Sequence, residues 1–186
     1  MAKLTTVSPT SSSEMIPFRH DNVFTRERTT GSDRLVVGPR TNHVRVLLDL
    51  ASTWKGDYWL LYILAVSRTG HPAARYQTPV TLDFEELTEF FDSFGTFLEA
   101  DGRHHLWVGS ADQEGILVYD RHDIIYAYGA LDEYEARLAQ RGFRMGEAKV
   151  PQTHEHQISS ENDAQEGRIL SYWEWLSVPL KPGDDD

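Results

Sequence analysis

The sequence predicts an α+β fold, a single domain in which a mainly antiparallel sheet of about four to six strands packs with about four helices. Three observations carry this. Asp101–Gly129, DGRHHLWVGSADQEGILVYDRHDIIYAYG, reads as three consecutive strands joined by short connections. Four other segments show helical spacing, three of them opened by an Asp-x-x-Glu pair. The chain of 186 residues is 40% hydrophobic and 11% aromatic, enough for one buried core.

Residues 1–15 are rich in Ser and Thr and read as a disordered tail, residues 16–182 as the α+β domain, and residues 183–186 as an acidic tail. Val23–Thr29 alternates as a strand does, Gly31-Ser32-Asp33 turns the chain, and Arg34–Val37 returns. Thr41 and Asn42 suit a helix start. Val44, Leu47, Leu48 and Ala51 then form one apolar stripe running to Ser52. Tyr58–Val66 is apolar on both faces, as a central covered strand requires.

Asp83 and Glu86 box the start of the longest helix, whose Phe91, Phe94 and Leu98 should meet the sheet near Leu61, Ile63 and Trp107; Gly102 is placed to stop it with a left-handed cap. A further helix spans Asp132 to Arg141, with a box at Asp132 and Glu135 and a stop at Gly142. Glu147–Val150 reads as strand-like. The last helix starts near Asp163, is boxed by Glu166, presents Ile169, Tyr172, Trp173 and Leu176 on one face, and ends at Pro179.

The three strands also gather the only concentration of chemistry. If Val108 faces Leu117, His105 falls beside Asp120, and Asp120–Asp123 closes the next hairpin. One sheet end then collects Asp101, Arg103, His104, His105, Asp120, Arg121, His122 and Asp123. Three readings follow. The aspartates fasten the turns by hydrogen bonds; or an aspartate orients a histidine for proton transfer, with His105, His122 and Asp120 as catalytic candidates; or imidazoles bind a divalent metal, with candidates His104, His105 and His122 joined by His154 and His156, which are two apart and so share a strand face. No cofactor is favoured, and a divalent metal is the open alternative.

For binding, Trp175 is the candidate exposed aromatic, and the loop Thr69–Pro79 offers Arg75 and Tyr76. Formal net charge is −11; seven of the eighteen basic residues but only four of the twenty-nine acidic ones fall within residues 1–45. Such an acidic body repels phosphate backbones, which excludes nucleic acid as a partner. Without cysteine there is no disulfide, thiolate nucleophile or Cys-type metal site. No apolar run reaches signal-peptide or membrane-span length, so a cytoplasmic location and no membrane partner are expected. Phosphate-loop, dinucleotide, zincin, nucleophile-elbow and EF-hand signatures are absent.

DGRHHLW, VYDRHDIIYAYG and YWEWLSVPL together resemble a family of small uncharacterised bacterial proteins, over about Ile16 to Pro182. The resemblance implies a soluble bacterial protein and carries no established activity. The first functional expectation is a non-catalytic cytoplasmic binding protein, with a protein partner ahead of a small molecule; neutralisation of a toxin by an immunity protein is an analogous role. The alternative is a hydrolase using the His/Asp cluster, with or without metal.

Overall fold

The computed structural model describes residues 2–184. Of the expected acidic tail, Asp185 and Asp186 lie outside the described residues. In chain order the elements are β1 (Leu4–Ser8), β2 (Ser11–Pro17), β3 (Val23–Glu27), β4 (Arg34–Gly38), α1 (His43–Ala51), β5 (Tyr58–Leu64), β6 (Ala74–Gln77), α2 (Phe84–Ala100), β7 (His104–Ser110), β8 (Ile116–Tyr119), β9 (Ile125–Tyr128), α3 (Leu131–Gln140), β10 (Arg144–Met145), β11 (His154–His156), α4 (Asp163–Leu170) and β12 (Leu176–Pro179).

Nine strands form one sheet in the order β10-β3-β4-β9-β8-β7-β5-β6-β12, and β11-β1-β2 form a second. This exceeds the expected four to six strands. Both sheets are antiparallel except for the short parallel pair β10–β3. The α+β class holds. The β7–β8 hairpin forms as the alternation requires, with Val108 opposite Leu117 and Gly109 opposite Ile116. In the β8–β9 hairpin Tyr119 faces Ile125, one residue beyond the Ile124 that a four-residue Asp120–Asp123 loop would set opposite it.

The helices cover one face only. Phe90, Phe91, Phe94, Phe97 and Leu98 of α2 and the α1 stripe of Val44, Leu47, Leu48 and Ala51 bury themselves against Leu60, Tyr62, Leu64, Leu106, Val108, Leu117 and Ile125. Leu61, Ile63 and Trp107, expected beside Phe91, stand on the opposite face. A strand apolar on both sides carries no parity signal in its sequence, so the choice of face was not readable there.

Several local expectations change. The supposed tail of residues 1–15 contains β1 and most of β2, which turn around Pro9 and Thr10 and bury Lys3 and Leu4 completely. The Asp83–Glu86 box forms in full. The Asp132–Glu135 box does not: the helix begins at Leu131 with Ala130 at its N-cap, which puts Asp132 inside the first turn, and both carboxylates bind Arg26 of β3. Gly102 is not a left-handed cap; the chain leaves α2 through an extended Asp101. Nor does the last helix continue to Pro179. It stops at Leu170, and Leu176–Pro179 instead joins β6 as the sheet's edge. No strand forms over residues 147–150; the neighbouring strands are β10 and β11.

Arg103 joins the parts. Its guanidinium, wholly buried, donates to both carboxylate oxygens of Asp101 at 2.8 and 3.0 Å, to Glu166, to Asp163 at 3.1 Å and to the Ser159 carbonyl at 2.9 Å. Glu166, expected as a helix cap, is this buried partner. Burial works against its charge, yet the Ser67 and Thr69 hydroxyls and Arg103 hold its carboxyl down at about 2.

Phe91 tests the helix–sheet core: Phe91→Ala should lower unfolding free energy by roughly 3–5 kcal/mol in a urea titration. A loss below about 1 kcal/mol would contradict the burial of that ring.

Candidate functional site

The face turned away from the helices is a cup. Register places Trp59, Gly109, Ile116, Tyr128 and Arg34 in one row across the strands, and Leu61, Trp107, Val118 and Tyr126 in the next. His105 and Ile63, paired across β7 and β5, stand one row further on. The cup encloses about 1050 Å³, with Ser32 and Asp33 on one side, Gln113–Gly115 at the top and Gly183–Asp184 on the other side. Its far end is formed by His105, Asp120 and His122. Gly109 is needed here because the Trp59 indole lies on it; a Cβ would sit 2.0 Å from that ring.

Asp120 builds the far end. Its Oδ1 accepts the N–H groups of His122 and Ile124, both at 2.9 Å, and Oδ2 accepts His122 Nδ1–H at 3.0 Å. Burial opposes the charge, but the His122 contact and the Ile124 N–H keep the carboxyl below its usual range. Asp123 takes a left-handed backbone (φ 60°), a conformation aspartate tolerates better than most side chains, and accepts the Tyr119 hydroxyl at 2.6 Å. The expected turn-fastening role of these aspartates is therefore present.

His105 is different. It is buried, 8% exposed, and its Nε2 has no hydrogen-bond partner among the described residues. Burial and then the positive charge of Lys3 push its imidazole down to about 4, so the ring is neutral at neutral pH. Lys3 itself donates to the Asp120 carbonyl at 2.7 Å and lies 3.8 Å from the Tyr119 ring centroid. Burial lowers its ammonium pKa against the opposing pull of Asp123 and Asp120.

Beside His122, the strand β11 brings two more imidazoles. One donor atom from each of His122, His154 and His156 lies within 4.8 Å of the others, and the ring centroids are 4.9–5.4 Å apart. His154 Nδ1 donates to the Pro151 carbonyl at 2.7 Å, and His156 Nδ1 is buried without a hydrogen-bond partner among the described residues. Burial and Arg121 lower the His156 pKa to about 4.

Of the five metal candidates, the structure thus unites His122, His154 and His156. His104 is not among them. It is adjacent to His105 and therefore points to the other face, where its ring packs on Phe97 and its Nδ1 and Nε2 meet the Tyr62 hydroxyl and the Leu98 carbonyl. His105 lies at the cup's end outside the trio. The binding candidates are placed in the structure's packing. Trp175, expected to be exposed, is half-buried, with Nε1 donating to the Ile169 carbonyl at 2.9 Å. Tyr76 is buried and donates to the Pro72 carbonyl, while Arg75 lies beside Asp184 and above Trp107. Residues 69–79 are not all loop, since β6 occupies Ala74–Gln77.

Sequence reasoning missed Lys3 and His43. The latter is buried, stacked on Tyr119, with its nitrogens 3.7 Å from Glu99 and 3.9 Å from Asp123. The Thr/Val content of β1 around a Pro-Thr turn was the available signal for Lys3; for His43 none stood out from a helical stripe. No family model, curated protein or solved structure matches this chain. Among the described residues, no helix is long and apolar enough to cross a membrane.

The buried neutral His105 makes stability depend on pH. Its folded pKa lies below the unfolded value of 6.5, so the unfolded chain takes up the proton first. Stability is full above 6.5 and is lost as pH falls toward about 4. The His105 contribution is on the order of 3 kcal/mol. Urea midpoints between pH 7 and 4.5 should fall in the native chain and fall less steeply in His105→Asn; equal slopes would contradict a buried neutral ring.

Proposed function

We propose that this protein is a non-catalytic binding protein whose ligand is a small organic molecule seated in the cup. The body of that ligand is aromatic or branched aliphatic and rests on Trp107, Val118 and Tyr126; one hydrogen-bonding group meets His105. The observation that carries this reading is an uncovered, largely apolar sheet face ending in a buried imidazole nitrogen without a partner. Buried polar atoms are satisfied in folded proteins, so an orphan at the end of a cavity marks a place for a ligand atom. A neutral imidazole serves as donor or acceptor according to its tautomer.

Size and shape support a small molecule over the protein partner suggested by composition. The volume stands at the upper edge of the roughly 300–1,000 Å³ typical of small-molecule sites, and rims on three sides leave little flat surface for a protein. Around the cup the carboxylates of Asp33, Glu114 and Asp120 outnumber the lining cation Arg34, which disfavours polyanions. The hydrolase alternative has one observation in its favour, the Asp120 carboxylate that orients His122. Ser110, a hydroxyl at the upper rim, accepts the N–H groups of Asp112 and Gln113 and so serves the turn.

N-phenyl-1-naphthylamine, a neutral apolar fluorophore, tests the cup. The native chain should bind one equivalent saturably with enhanced emission. Val118→Trp, which fills the cup from a half-exposed position on the open face, should weaken binding at least about tenfold, a cost of ~1.4 kcal/mol, without lowering the melting temperature. Unchanged affinity in that variant, or no saturable binding, would refute the reading.

A further inference from the structure

We propose that His122, His154 and His156 form a binding site for one divalent metal ion of the zinc class, held by three imidazoles beside the far end of the cup. The inference stands apart from the identity of the cup's ligand. It rests on where these rings are, what their other nitrogens do, and how firmly the backbone holds them.

Two of the three rings already have the tautomer that a metal ligand needs. His122 Nδ1 faces the Asp120 carboxylate and His154 Nδ1 faces the Pro151 carbonyl. Both partners can only accept, so each Nδ1 carries the proton and each Nε2 keeps its lone pair. A carboxylate or carbonyl on the far nitrogen is the usual support of a metal-bound histidine. His156 has a buried Nδ1 with no hydrogen-bond partner among the described residues, which an ion would satisfy. On a tetrahedral ion with bonds of 2.0–2.1 Å, neighbouring nitrogens stand about 3.3 Å apart. The observed 4.8 Å limit therefore closes by small rotations of rings that are only half-buried.

The backbone around the trio is fixed. His154 and His156 flank Glu155 on β11 and so share a face, in register with Thr6 and Leu4 of β1. Immediately after, Gln157 N–H donates to the Lys3 carbonyl and Gly102 N–H donates to the Gln157 carbonyl, both at 2.8 Å. Gly102 also lets the strand come close, since a Cβ there would lie 2.9 Å from His156 Cβ. An all-nitrogen donor set selects zinc and its first-row neighbours over magnesium and calcium, which require oxygen ligands. Three protein ligands leave one coordination position, as in zinc sites that bind water or a further ligand. His122 lines both this site and the cup, so the two adjoin at the cup's far end.

The test uses the full chain without a histidine tag, stripped with chelator and titrated with ZnCl2 by calorimetry and with CoCl2 by visible absorption. One equivalent of zinc should bind and raise the melting temperature, because the ion ties β11 to the β8–β9 connection. Cobalt should give the strong visible bands of a four-coordinate site. His154→Ala and His156→Gln should each weaken binding at least about 100-fold, and Asp120→Asn about 10–100-fold, while exposed His71→Ala should leave it unchanged. The metal-free melting curves of the His154 and His156 variants identify any that fail to fold; the other variant then decides. Substoichiometric binding, or tight binding that survives both His154→Ala and His156→Gln, would overturn the assignment.

Discussion

The buried guanidinium of Arg103 is the constraint on which the arrangement depends. A charge placed wholly inside a protein is tolerated only when its N–H groups are matched by acceptors, and here Asp101, Glu166, Asp163 and the Ser159 carbonyl supply them. Those acceptors come from the end of α2, the segment before α4, and α4 itself. The Arg103 carbonyl meanwhile accepts the N–H groups of Ala65 and Val66 beyond β5. One residue therefore fixes residues 157–166 to the end of the large sheet. Because β11 immediately precedes that segment, the same clamp determines where His154 and His156 stand. It also brings β1 into place, with Lys3 against the loop that carries His122.

The second organising feature is the division of the sheet into a packed face and an open one. Strand geometry alternates side chains between faces, so His104 and His105 part company and take different chemistry. His104 becomes a core histidine enclosed by Tyr62, Phe97 and the Leu98 carbonyl, where burial, with the positive charge of Lys3 adding to it, holds its pKa well below the ordinary value. His105 faces the cup with a nitrogen left without a partner. The helices exhaust their apolar surface on one side, which leaves Trp59, Trp107, Tyr126 and Tyr128 lining a cavity.

Much of this was legible in the sequence where the signals were local. The β7–β8–β9 segment announced itself through alternation and short connections, and the β7–β8 register followed from them, whereas β8 and β9 pair one residue away from what a four-residue loop implies. The α2 start was set by a capping box that forms as written. Illegible features were those decided by distant partners. Asp132 and Glu135 match a capping box, yet Arg26 captures both. Glu166 matches another, yet serves Arg103. Thr/Ser-rich β1 and β2 looked like a tail because their stability comes from β11 and a buried Lys3 rather than from an apolar pattern of their own. The run YWLLYIL is apolar at every position, so it could not say which side the helices would take. Of the site, His122, His154, His156 and Asp120 were named from composition and strand parity. Their convergence depended on the pairing of β11 with β1, a contact some 150 residues apart in the chain.

The most direct test of the Arg103 clamp is native-state amide hydrogen exchange followed by NMR in the native chain and in Arg103→Met. Removing the guanidinium leaves Asp101 and Glu166 buried without their cation, so residues 157–166 should release first. Exchange at the Gly102 and Gln157 amides, whose bonds tie β1 and β11 to the sheet end, should accelerate far more than exchange at Leu106 and Val108 within β7. Equal protection of Gly102 and Gln157 in the two proteins would show that the histidine strand is held in place by something other than Arg103, and would contradict the account.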